Sequence, residues 1–233
     1  MDPMARLNAP RGRRRSWAPA LLIAGGLALA LALAVPAALK KGGAPAAGVD
    51  GGCSPPRSGR IPDELRAFVL PGTHALCAVG ADLNADGLGD WVLVLETSGR
   101  PADPDGPEVP RPLLVVVHLP GGTLQVAGRN DHLVPCAACG GPFTDPFQGV
   151  QAGSGTFTVY DHAGVSARWQ EEYTFRYVRS AGTWRLTRVV ETIYQPETPD
   201  RLEETVFVAP DDFGDIDLAD FEPGGWEPAS TRN

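Results

Sequence analysis

Lysine is nearly missing from this 233-residue chain: it stands only at positions 40 and 41, and every later cation is an arginine. The first 41 residues hold Arg6, Arg11, Arg13, Arg14, Arg15, Lys40 and Lys41 against Asp2 alone. Since the whole chain carries −8, residues 42–233 carry about −14. So acidic a domain repels nucleic-acid phosphates, which argues against DNA or RNA as partners and suits cations or basic proteins. Catalytic signatures are equally scarce. There is no phosphate-binding loop and no dinucleotide fingerprint. Gly153-Ser154-Gly155 flanks a serine with glycines but lacks the G-x-S-x-G elbow and its strand-turn-helix setting. His74, His118, His132 and His162 are scattered without metal-ligand pairing and read as structural or exposed. No internal repeat is present.

What the sequence does have begins at its N-terminus. Trp17 to Leu39 is an uncharged run behind an arginine cluster. At about 1.5 Å per residue such a run reaches across a hydrocarbon core of about 30 Å as one hydrophobic helix. The basic flank predicts that this end stays in the cytoplasm and that the rest is exported. Small-residue patterns at Val35-Pro36-Ala37 and Ala44-Pro45-Ala46 fit a cleaved signal, whereas the length of the run and Lys40-Lys41 fit a permanent anchor. Both readings place the domain outside the cytoplasm, in a bacterial periplasm, anchored to the inner membrane or released. Cys53 lacks the context of a lipidation site.

Four cysteines suit an oxidising compartment. Of the three possible pairings, Cys53–Cys77 with Cys136–Cys139 is favoured. The Cys136-x-x-Cys139 spacing also raises redox and zinc readings, but the first lacks a βαβ context and the second lacks further ligands.

Four segments follow: a signal or anchor at 1–41, a Gly- and Pro-rich linker at 42–60, a β domain at 61–210 and an acidic tail at 211–233. A short helix is expected at Pro62–Phe68. Strand signals then dominate. Trp91–Leu95 and Leu113–Val117 are apolar, partly β-branched runs, and Leu124–Ala127 follows a Pro-Gly-Gly turn. Thr156–Tyr160, a long alternating strand and Trp184–Val190 form a meander, with turns at Asp161–Gly164 and Ser180–Gly182. In the long strand Val165, Ala167, Trp169, Tyr173, Phe175 and Tyr177 share one face. Glu171 interrupts that face, which reads as a bulge or sheet edge, with a functional carboxylate as the other reading. Residues 98–112 form a Pro-rich loop suited to binding. In the tail, six acids alternate with Phe213, Ile216, Leu218 and Phe221, which can pack back on the domain. The fold class is therefore mainly β, an antiparallel meander or compact sandwich or barrel.

One motif carries chemistry. Asp82-Leu83-Asn84-Ala85-Asp86-Gly87-Leu88-Gly89-Asp90 reads D-x-N-x-D-G-x-x-D. A hard cation takes six to eight oxygens, and alternate residues of a tight loop can aim them at one centre. Asp82, Asn84 and Asp86 would supply side-chain oxygens, Leu88 a backbone carbonyl, and Asp90 a further carboxylate directly or through water. Gly87 permits the turn. The bidentate Glu of an EF-hand is absent, since its position is Leu93. Ca²⁺ is the expected ion. The segment from Val79 to Glu96 resembles the calcium loop of FG-GAP and VCBS-type modules, whose tandem repeats build propeller blades; a single copy cannot. Cys136-Ala137-Ala138-Cys139-Gly140-Gly141-Pro142-Phe143-Thr144-Asp145-Pro146-Phe147 resembles more loosely a segment of small exported bacterial proteins of unknown role. A lone loop of this type in a periplasmic β domain is also similar to calcium-binding immunity proteins that inhibit lysozyme-like enzymes.

The expected function is accordingly non-catalytic: a calcium-ordered β domain that binds a protein or cell-envelope partner, one version being inhibition of a basic peptidoglycan hydrolase. The alternative is an envelope hydrolase with structural calcium and Glu171 or another acid catalytic.

Overall fold

The computed structural model describes residues 52–53, 61–98, 109, 111–140, 145–164, 167–195 and 197–226, all within the unit Pro45–Asn233. The hydrophobic span Trp17–Leu39, nearly all of 42–60 and most of the Pro-rich loop lie outside the described residues. Among the described residues no helix is long and apolar enough to cross a membrane.

The described residues form ten strands: β1 (Gly52–Cys53), β2 (Thr73–Ala81), β3 (Asp90–Thr97), β4 (Arg111–His118), β5 (Leu124–Val134), β6 (Phe147–Gly153), β7 (Thr156–Gly164), β8 (Arg168–Val178), β9 (Thr183–Gln195) and β10 (Thr198–Val208). They form two antiparallel sheets, one in the order β2-β3-β4-β5 and one in the order β1-β6-β7-β8-β9-β10. Neither closes into a barrel. Both contribute to one core: Val79, Val92, Val94, Leu113 and Val115 from the first sheet meet Val159, Tyr173, Phe175, Trp184 and Val189 from the second. This is a sandwich, each sheet hiding one apolar face against the other.

The unbroken runs of β3 and β4 have a physical reason. Val92, Val94, Leu113 and Val115 face the shared core, while Leu93, Leu95, Leu114 and Val116 are buried on the opposite side under Leu65. Leu65 sits in a 3₁₀ helix at Asp63–Phe68, whose start Pro62 tolerates because no helical N–H is needed there. A strand covered on both faces has no polar side to alternate. Strands β7 and β8 bury one face toward the core and keep the alternation.

Several sequence expectations need correction. Asp161–Gly164 is the end of β7, not a turn, because its pairing with β8 continues to Gly164 opposite Arg168. The β8–β9 irregularity falls between Thr174 and Phe175 and not at Glu171, which is paired in regular register on both sides. Gly52–Cys53, inside the stretch read as a linker, pairs with β6. The stretch read as an acidic tail supplies Phe213, Leu218 and Phe221 to the core, each almost fully buried, so the domain continues past 210. Phe221 packs edge-on against Phe175 and tilted against Tyr173. Asn130 on β5 fixes this segment by donating to the carbonyls of Leu218 and Phe221 at 2.6 and 2.7 Å.

Both disulfides join the favoured pairs. Cys53–Cys77 ties β1 to β2, and thus one sheet to the other, with 5.8 Å between Cα atoms. Cys136–Cys139 closes a tight loop after β5, with 5.1 Å between Cα atoms.

Candidate functional site

The loop between β2 and β3 is held by its own side chains. The Asp82 carboxylate accepts the backbone N–H groups of Asp86 and Gly87, both at 3.0 Å. The Asn84 Oδ1 also accepts the Asp86 N–H, at 3.0 Å, and its Nδ2 donates to Asp86 Oδ2 at 2.9 Å. Asp86 Oδ1 accepts the Leu88 N–H at 2.8 Å. Asp and Asn side chains that bond backbone groups a few residues ahead coil a chain this tightly. The coil also demands positive φ at Gly87 (90°) and at Ala85 (55°), and alanine in that region is uncommon. Asp90 lies beneath, 1% exposed, with one oxygen accepting the Leu83 N–H and the other the His118 N–H, both at 2.9 Å. Burial pushes its carboxyl above the ordinary range and the Asp86 charge adds to this, against the N–H donors.

The loop is sewn to the second sheet. Leu83 is fully buried, and its carbonyl accepts the Trp184 indole N–H at 2.9 Å. Gly155, in the β6–β7 turn, donates to the Asp82 carbonyl at 2.8 Å, and Arg179 reaches the Ala85 carbonyl at 3.0 Å. Leu88 remains partly exposed at the rim.

The donor set fits a hard cation in kind. It is all oxygen, and a carboxylate or amide oxygen that accepts one hydrogen bond keeps a second acceptor direction. Among the described residues no three His, Cys, Asp or Glu side chains stand together closely enough to hold a metal ion by themselves. A cation here would therefore draw on the Asn84 amide and the Leu88 carbonyl as well as on Asp82, Asp86 and Asp90.

A second polar cluster was not legible in the sequence. Asp161 on β7 pairs with Glu171 on β8, which pairs with Glu191 on β9, so three acids stand side by side across three strands. They share the core-facing side: Val159, Tyr173 and Val189, two residues from each, are buried. Directly opposite like charges destabilise a sheet. Burial and the neighbouring charges favour the protonated forms of Asp161 and Glu191. Asp161 is 2% exposed, its Oδ1 has no hydrogen-bond partner among the described residues, and burial, with the charges of Glu171 and Asp145, pushes its carboxyl up to about 8 against the opposing Arg111. Burial and Glu171 likewise raise Glu191. The Tyr173 hydroxyl donates to Glu171 at 2.5 Å.

Beside this row Arg111, 2% exposed, grips Asp145 with two nitrogens at 2.7 and 2.6 Å. It also donates to Glu96 from Nε at 3.0 Å and to the Pro135 carbonyl at 3.1 Å. Asp145 belongs to the Cys136–Phe147 segment singled out above, and its Oδ1 accepts the Phe147 N–H at 3.1 Å. That segment thus clamps the start of β4 to the start of β6.

Comparison with protein-family models, curated proteins and solved structures finds no match.

The remaining residues of interest stay apart. Ser154 is exposed in the β6–β7 turn. His118 contacts the Gly89 carbonyl at the foot of the loop. His74 lies 3.5 Å from Glu96, and His162 bonds the Tyr194 hydroxyl at 3.1 Å on the outer sheet face. No two of these four form a serine–histidine couple.

Proposed function

We propose that this chain is an exported, non-catalytic β-sandwich that binds Ca²⁺ through Asp82, Asn84, Asp86, the Leu88 carbonyl and Asp90, and that engages a protein or cell-envelope partner. The observation that carries the reading is the self-coiled 82–90 loop, all-oxygen in its donors and tied to the opposite sheet through Leu83, Asp82 and Ala85. Calcium bound there would offset three carboxylates in nine residues and lock the loop at the end where both sheets meet. The two disulfides support an oxidising compartment. The net acidity of the domain supports a basic partner, such as a peptidoglycan hydrolase under inhibition.

The hydrolase alternative has one observation in its favour, the paired acids around Glu171. Their position on the core-facing side, with Asp161 buried, supports a structural role instead, because a substrate must reach a general acid. Thermal melts with calcium and with chelator test the proposal. A ligand that binds only the native state stabilises by mass action, about 2.7 kcal/mol at a hundredfold excess over Kd. Calcium should raise the midpoint, and Asp86→Ala should remove most of the rise. An equal rise in the variant would sink the assignment.

A further inference from the structure

The outer face of the six-stranded sheet carries a cleft of about 370 Å³, within the span of small-molecule sites. Its walls come from four adjacent strands: Gln148 and Gln151 on β6, Tyr160 and His162 on β7, Gln170 on β8 and Tyr194 on β9. The register accounts for their meeting. Gly149 pairs with Tyr160, His162 with Gln170, and Arg168, two residues along β8, with Tyr194. Gly149 has φ 141°, a conformation that suits glycine, and adds no side chain beyond Cα to the floor. Cys53 on β1 closes one side and is fixed by its disulfide to Cys77.

The lining chemistry is unusual for so acidic a domain. None of these six side chains is a carboxylate, lysine or arginine. Three are primary amides, two are phenols, and burial together with the Arg168 charge lowers the affinity of the His162 imidazole for a proton. Each can both donate and accept a hydrogen bond. Two contacts already organise them: Tyr160 donates to Gln151 at 3.0 Å, and His162 and Tyr194 lie parallel, 2° between planes and 6.2 Å between centroids. Flat rings with polar tips and amides that donate and accept suit a ligand whose hydroxyls do the same and whose C–H faces can rest on a ring.

We propose that this cleft binds a neutral oligosaccharide bearing acetamido groups. An acetamido group points its N–H and its C=O in opposite directions, and glutamine amides on two different strands, Gln148 or Gln151 on β6 and Gln170 on β8, can accept from the one and donate to the other. The domain charge of about −14 selects against anionic polymers, so uncharged sugars are the class accepted. This deepens the envelope-partner reading and rests on it only for where the ligand would be met, since no residue of the 82–90 loop lines the cleft.

The test is calorimetric titration of the purified full chain with chitotetraose, the N-acetylglucosamine tetramer, in calcium and again in EDTA. Saturable binding at one site is expected in both. Gln170→Ala and Tyr194→Ala should each weaken it about tenfold or more while leaving the far-ultraviolet circular dichroism and the cooperative thermal melt in place. Absence of saturable binding, a preference for an anionic tetrasaccharide, or wild-type affinity in both variants overturns the inference. A calcium response without sugar binding overturns it and leaves the calcium reading standing. Sugar binding without a calcium response supports it and removes the calcium reading alone.

Discussion

Asp161→Asn should flatten the dependence of stability on pH. In the folded chain the carboxyl titrates at about 8, because burial, Glu171 and Asp145 together outweigh Arg111. In the unfolded chain it titrates near the ordinary value of 3.8. Between those values the folded state holds a proton that the unfolded state has released. Stability from this group is thus complete below about pH 4, falls as the pH rises through the window, and is lost above about 8. Each unit corresponds to about 1.4 kcal/mol, so the full span is on the order of 5 kcal/mol. Glu191, raised in the same direction, adds to the slope. Urea unfolding at half-unit steps from pH 5 to 8 measures it. Wild type should lose at least about 2 kcal/mol across that range, and Asp161→Asn should lose much less. The buried amide imposes its own cost at every pH, so the slope and not the absolute stability is read. A flat wild-type profile, or an equally steep one in the variant, would refute the protonated-acid account of the Asp161–Glu171–Glu191 row.

Other outcomes are equally open to measurement. Arg111→Met removes a buried charge while leaving Asp145 and Glu96 without their partner; a loss of about 3–5 kcal/mol in urea unfolding is expected, and a loss below about 1 would show that the clamp is not structural. Replacing Cys53 and Cys77 together by serine should cost about 3.5 kcal/mol, against about 2 for Cys136 with Cys139, because loop-closure entropy grows with the 24-residue and 3-residue separations. Equal costs would contradict that ordering. Trp184→Phe gives up the hydrogen bond to the Leu83 carbonyl and part of a buried ring, so its midpoint should fall and its response to calcium should weaken. A calcium response of wild-type size would mean that the loop does not rely on this anchor.

How much of this was legible in the sequence differs from element to element. Strands β3, β4 and β8 were readable because burial on two faces leaves an unbroken apolar run and burial on one face leaves alternation. The 3₁₀ segment at Asp63–Phe68 was readable from Pro62. Strand β6, Phe-Gln-Gly-Val-Gln-Ala-Gly, hid behind its glycines and glutamines, and β10 behind Pro199 and a run of charge. The interleaved Phe213, Leu218 and Phe221 hinted that the last segment packs, but the count of acids concealed how deeply. The 82–90 loop is local, so its spacing shows in the sequence. The acid row, the Arg111–Asp145 clamp and the amide-lined cleft are products of register between distant strands. Glu171 could be flagged because it broke a pattern, whereas Glu191 carried no local signal and Asp161 only a faint one. A polar residue at an inward position of a strand, as Asp161 is between Val159 and Ala163, is the one cue that could have found it.

The most direct measurement is calorimetric titration of calcium into the purified protein and into its Asp86→Ala variant. One saturable site in the first and its loss in the second are the expected results. No binding heat, or the same heat in both, would reduce Asp82–Asp90 to a self-bonded turn and leave the sandwich without its proposed cation.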